Sequence, residues 1–305
     1  MSEIADRITP AFFPGFQRLD AKVHGVRFAG VIGGGGPPVL LLHGYPQTHI
    51  AWRKIAPDLS LSYTLVIPDL PGYGASRPEA MQPRWTKRRV GAALVALMGS
   101  LGHHRFAVAG HDRGARVGYR LALDHPDLVA AFCSLAVVPT LNAMSAVDHR
   151  FATKNFHWFL FAQDPDLPEL LLDAAPDAFI DRALAAMAHG LEKVDPAALE
   201  AYRFAFRDPT VRHAICEDYR AAVNEDLELD LTDRAQGHKL SCPVQVLWPA
   251  AQTTHGSADP IAIWSSWADD VIGTTTSGGH LQPEDAPDEV LAALRPFLNS
   301  HLSAR

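Results

Sequence analysis

The stretch AGHDRGARVGYRLALDHP, Ala109 to Pro126, puts a carboxylate where a sharp turn would present it. Its first part reads G-x-D-x-G, from Gly110 through Asp112 to Gly114. An apolar run, HRFAVAG, leads in, and a helical pattern leads out. In strand–turn–helix elbows of shape G-x-S-x-G, the glycines allow a tight turn and the central serine attacks. Here the central residue is aspartate, which is already ionised at neutral pH. A serine alkoxide suits acyl carbon. A carboxylate suits displacement at a saturated carbon and leaves an alkyl ester on the protein. The competing reading is an N-cap aspartate for the helix that follows.

Three further features bear on that choice. HGYP, His43 to Pro46, follows a buried-strand pattern. A loop there would aim the Tyr45 N–H at the elbow, and the Arg113 N–H would be the second donor of an oxyanion hole. The alternative is a simple turn. His280, in SGGHLQPEDAP, follows a strand and two glycines near the C-terminus. Nucleophile first and histidine last is the chain order of a base in such a fold, although a lone histidine is more often structural. Arg113 and Arg116 fall on nearby faces of the elbow helix. Guanidinium forks grip carboxylates, so the pair points to a small anionic substrate. Surface ion pairing is the alternative.

The elements that must position these residues are legible as apolar runs. Strands are predicted near Val39–Leu42 and Thr64–Pro68, in HRFAVAG, in LVAAFCSLAVVP, in CPVQVLWPA and in DVIGTTTSGGH. The runs are near-continuous in apolar character, as in parallel strands buried on both faces. Helical patterns such as KRRVGAALVALMGSLG alternate with them, which predicts an α/β fold with a mostly parallel sheet. From about Thr140 to Lys239 the pattern is helical. The predicted organisation is therefore a core over 1–139, a helical cap over 140–239 inserted after the fourth of these strands, and the rest of the core over 240–305.

Of the 305 residues, 48% are hydrophobic and 20% charged, and the net charge is −7. No basic block supports nucleic-acid binding. No apolar run approaches the roughly 20 residues of a membrane span. The opening residues are too charged for a signal peptide. Cys133, Cys216 and Cys242 are widely spaced and odd in number, which favours a reduced, cytoplasmic setting.

Together these segments resemble the fluoroacetate (haloacetate) dehalogenases of the α/β-hydrolase superfamily. LLLHGYPQTH, DLPGYGAS, AGHDRGARVGYRLALD, FHWFLFAQ, DPTVRHAICEDYRA and SGGHLQPEDAPD carry the likeness along nearly the whole chain. The resemblance implies Asp112 as nucleophile, His280 as base, and Arg113 and Arg116 on the substrate carboxylate. It implies His157, Trp158 and Tyr219 around the departing halide, no metal or organic cofactor, and a homodimer. The three halide residues are hydrogen-bond donors, able to replace the hydration of a small anion.

The sequence departs from the family in two places. The acid expected to orient the histidine falls at Ala136, in LAVVPT, and its alternative position after the next strand falls at Gln252, in WPAAQ. Gln252 would orient the imidazole through its carbonyl oxygen. Asp259 would be a replacement acid, but it also reads as an N-cap before Pro260. Where the family has a tryptophan, AAMAHG has Met187. Three functions remain open from sequence: a haloacid dehalogenase slowed by the missing acid, an epoxide hydrolase with the same aspartate chemistry, and a binding protein that has lost turnover. An epoxide hydrolase would use two cap tyrosines, and the insert has only Tyr202 and Tyr219.

Overall fold

A computed structural model describes residues 11–252 and 259–302. The charged opening segment, residues 1–10, from which the absence of a signal peptide was read, lies outside them.

Nine strands form one sheet: β1 (Gln17–Val23), β2 (Val26–Gly34), β3 (Pro38–Leu42), β4 (Thr64–Pro68), β5 (Arg77–Pro78), β6 (Phe106–His111), β7 (Val129–Leu135), β8 (Val244–Pro249) and β9 (Val271–Thr276). Their order is β1-β2-β4-β3-β6-β7-β8-β9, with β5 beside β2. From β4 to β9 every pairing is parallel. Every residue of β6 and β7 is buried, the both-faces-covered state that continuous apolar runs predict.

The antiparallel β1–β2 hairpin and the short β5 are absent from the sequence reading. β1, QRLDAKV, is no continuous apolar run: Leu19, Ala21 and Val23 alternate with Asp20 and Lys22, the period-two pattern of a half-exposed strand, which a reading by continuous runs passes over.

Helix α1 (Lys87–Ser100) precedes β6, and α2 (Arg113–Asp124) follows it. Between β7 and β8 the described residues form only helices and their connections, from Thr140–Ser145 to Glu225–Gln236. None of the described helices is long and apolar enough to cross a membrane.

The sheet does one thing for function. Its parallel strands end on the same edge, where ligands bind in open α/β sheets. Asp112 follows β6, Ala136 follows β7, Gln252 follows β8 and His280 follows β9. Residues spread over nearly 170 positions of sequence thus meet at neighbouring strand ends.

Candidate active site

Asp112 sits at φ 47°, ψ −113°, a backbone state that non-glycine residues seldom adopt. The turn is held by close approach. A Cβ on Gly114 would lie 2.4 Å from the Leu42 carbonyl oxygen, and one on Gly44 2.5 Å from the Asp112 Cβ. Glycine at these positions lets the elbow and the loop after β3 touch.

Although Asp112 immediately precedes α2, its side chain makes no capping bond. Its Oδ2 instead accepts the Tyr45 N–H at 3.0 Å. The N-cap alternative is thereby corrected: the strained backbone swings the carboxylate off its own helix. The Arg113 N–H opens α2, where first-turn N–H groups lack intrahelical partners. Burial would raise the Asp112 carboxyl, but His280, His111 and Arg113 outweigh it and hold it well below the usual carboxylate range. The group is an anion at neutral pH.

His280 Nε2 lies 3.8 Å from Asp112 Oδ1, and its Nδ1 lies 3.1 Å from Gln252 Oε1. Since the amide oxygen only accepts, the proton resides on Nδ1 and Nε2 is free to accept one. Gln252 is fixed in turn. Its Nε2 donates to the Ala136 carbonyl at 3.0 Å, and its own carbonyl accepts the Trp248 indole N–H at 2.6 Å. The His280 backbone is pinned from two sides, its N–H donating to the Met187 carbonyl at 3.0 Å and its carbonyl accepting from His111 Nε2 at 2.7 Å. Burial pushes the His111 imidazole down to about 3, so it is a neutral strut. Asp259 proves to be an exposed N-cap of Pro260–Ser265, accepting the Ile261 N–H at 3.1 Å. That corrects its candidacy as the acid.

The two arginines are buried and unequal. Arg113 gives Nε to Asp218 Oδ2 at 2.6 Å and Nη2 to the Asp218 carbonyl at 2.9 Å. Asp218 also pairs with Lys87 and accepts from the Tyr73 hydroxyl at 2.9 Å. Arg116 has no carboxylate partner among the described residues. Its Nη1 donates to the Val138 carbonyl at 3.1 Å and to Thr140 Oγ1 at 3.0 Å, and its guanidinium lies over the Trp158 ring at 4.7 Å. Burial, reinforced by Arg113, lowers its pKa. Arg113 Nη1 and Arg116 Nε are both buried without a hydrogen-bond partner. Unpaired buried donors are rare and call for an explanation. Arg116 borders a cavity of the site, where a bound anion would supply its partner.

One cavity of about 320 Å³ brings most of the predicted residues together. Tyr45, Asp112, Arg116, His157, Trp158, Tyr219, Gln252 and His280 line it, as do Ala136 and Met187; Arg113 and Asp259 do not. The Tyr45 ring stacks on His157 at 5.5 Å and meets Tyr219 edge-on at 5.7 Å. Burial keeps His157 neutral, its pKa pushed down to about 4. Tyr202 lies elsewhere, its hydroxyl bonded to Glu284 and Gln47.

Sequence reasoning missed Asp218, His111 and Thr140. Asp218 is the residue before Tyr219 in CEDYR, but nothing in that motif names Arg113 as its partner.

A strained turn at a parallel strand's end, a histidine from the last strand's loop and helices inserted overhead define an α/β hydrolase. The sequence profile of the alpha/beta hydrolase fold matches residues 37–174. A fluoroacetate dehalogenase from Burkholderia sp is 37% identical over 291 residues, covering 94% of this chain and 95% of that protein. A soluble epoxide hydrolase from Corynebacterium sp. (strain C12) is 29% identical, covering 91% and 95%. Among solved structures, a mutant of a provisionally named epoxide hydrolase from Pseudomonas aeruginosa, with bound MFA, superposes with a TM-score of 0.92. It is 52% identical and covers 95% of this chain and 97% of its own. The chain belongs to the α/β-hydrolase superfamily and, within it, to the haloacetate dehalogenase family.

Proposed function

We propose that the protein hydrolyses a short 2-haloacid to the 2-hydroxy acid and halide through an ester on Asp112. The observation that carries this reading is Arg116, a buried cation with no carboxylate partner among the described residues, bordering the same cavity as an ionised Asp112. Such a site favours an anion next to a nucleophile.

The substrate carboxylate satisfies Arg116, which borders the cavity, while Arg113 stays paired with Asp218 behind it. Asp112 Oδ1 attacks the halogen-bearing carbon, the carbon–halogen bond breaks, and the halide leaves with the electron pair. His157, Trp158 and Tyr219 donate to it in place of water. The ester retains Oδ2 as its carbonyl oxygen, already held by the Tyr45 N–H. His280 Nε2 then takes a proton from water as it attacks Asp112 Cγ. Charge develops on Oδ2, where the Tyr45 and Arg113 N–H groups stabilise it. Collapse breaks the Cγ–Oδ1 bond, and the His280 imidazolium returns its proton to the departing alkoxide, which leaves as the hydroxy acid.

Epoxide opening would use the same carboxylate, but Tyr202 is committed to Glu284 and does not border the cavity. That leaves Tyr219 alone of the two insert tyrosines. Halide release from fluoro-, chloro- and bromoacetate tests the proposal, with Asp112→Ala as the control. Release is expected from the natural protein and not from the variant. Diol formation from epoxides without halide release would refute it.

A further inference from the structure

The cavity is far larger than the substrate the site chemistry defines. Its volume is about 320 Å³. At a water's liquid share of roughly 30 Å³, the cavity has room for on the order of ten waters, and a haloacetate displaces only a few. The volume falls within the range, roughly 300–1,000 Å³, of pockets that enclose drug-sized ligands.

The polar residues account for part of the lining. Asp112, Arg116, His157, Trp158, Tyr219 and His280 serve the reacting carbon, its carboxylate and its halide. Much of the remainder is apolar: Ala143, Phe151, Phe156, Phe179, Ala183 and Met187. Phe156 and Phe179 meet edge-on at 6.3 Å. The alanines leave space that larger side chains would fill. In the geometry proposed above, the C2 carboxylate is at Arg116 and the halogen is at the insert donors. Asn142, Lys154, Asn155, Arg182 and His189 also border the cavity, so a further group on C2 enters a space that is mainly, though not wholly, apolar.

We infer that the preferred substrates are 2-haloacids bearing an apolar group at C2, of about the size of a butyl chain or a phenyl ring. Fixed carboxylate and halide positions leave one direction for that group, so a single enantiomer is favoured, with inversion at C2. This rests on the dehalogenation reading, but binding of the products tests it without any turnover.

The experiment compares glycolate with each enantiomer of 2-hydroxyhexanoate by titration calorimetry. It then compares chloroacetate with each enantiomer of 2-chlorohexanoate by halide release. Burying each added methylene is worth about three- to fourfold in affinity. One hydroxyhexanoate enantiomer should bind roughly a hundredfold tighter than glycolate. The corresponding chloro acid should have a KM at least tenfold below that of chloroacetate. Ala183→Phe should shrink the hydroxyhexanoate-to-glycolate preference at least tenfold. If that variant fails to fold, the comparison on the natural protein still decides. Equal or weaker binding of both hydroxyhexanoate enantiomers overturns the inference, even if chloroacetate is turned over. A strong preference for hydroxyhexanoate with no halide release from any acid sustains the inference about the cavity and overturns the reaction reading instead.

Discussion

Gln252 Oε1 lies 3.1 Å from His280 Nδ1, so an amide orients this histidine where a carboxylate would also supply charge. The amide fixes the tautomer. It does not stabilise the imidazolium that forms as water attacks. In serine proteases, replacing the acid by an amide costs about 10⁴ in rate. Here the cost should fall on ester hydrolysis alone, giving a burst of halide followed by slow turnover. Ala136 sits beside the pair, its carbonyl accepting from Gln252. It adopts φ 66°, a left-handed state that aspartate tolerates better than most residues. Ala136→Asp should speed the slow phase at least tenfold and leave the burst rate nearly unchanged. Stopped-flow halide detection checks this, and an unchanged slow phase in a folded variant counts against it.

His280→Asn should permit one round of halide release and then stall. Displacement by Asp112 needs no base, whereas ester hydrolysis does. With chloroacetate, mass spectrometry should find the peptide containing Asp112 heavier by a carboxymethyl group. In the natural protein, a single turnover in heavy-oxygen water should label Asp112 rather than the product, because water attacks Cγ. Label in the product would mean direct attack by water on the substrate.

The inequality of the two arginines separates their variants. Arg116→Met removes a buried cation that has no carboxylate partner among the described residues. It should raise KM tenfold or more, since a charge-assisted bond is worth roughly 1.5–3 kcal/mol, with little loss of stability. Arg113→Met also breaks the contacts to Asp218 and Tyr219. Removing one partner of a buried pair costs about 3–5 kcal/mol, although Lys87 remains beside Asp218. Thermal unfolding should therefore show a clear fall for Arg113→Met and a small change for Arg116→Met. The same melting temperature for both would contradict the difference in pairing.

Behind Arg116 runs a chain of hydroxyls. Thr140 Oγ1 accepts from Arg116, and the Tyr119 hydroxyl bridges Thr140 at 3.1 Å and Asp230 Oδ2 at 2.8 Å. Burial raises the Asp230 carboxyl from 3.8 to about 6. A folded-state value above the unfolded one adds stability that is complete below about pH 4 and is lost as pH rises through about 6. At roughly 1.4 kcal/mol per pH unit, the effect is about 3 kcal/mol. Asp230→Asn should flatten the decline of stability between pH 4 and 6 and raise stability at pH 7. Denaturant titrations across that range measure it, and an unaltered slope would show that Asp230 is not the group titrating.

Some of this protein was legible in its sequence because the signals are local. A continuous apolar run marks a doubly covered strand, and Gly110 and Gly114 around Asp112 mark a turn that only close backbone approach requires. The order of Asp112 and His280 along the chain is likewise a sequence property. So is the lack of a carboxylate at residues 136 and 252. The partners were not legible, because they come from distant segments that only the folded sheet and insert bring together. Whether Asp112 caps its helix or leaves it depends on the Tyr45 N–H, 67 residues away. Which arginine carries an uncompensated charge depends on Asp218, 105 residues beyond Arg113. The β1–β2 hairpin is marked by alternation rather than by a continuous apolar run, because β1 has one face exposed, and continuous runs alone do not find such a strand. Cavity size was hidden as well, since it is a difference between the shapes of packed elements and leaves no mark on any single stretch of chain.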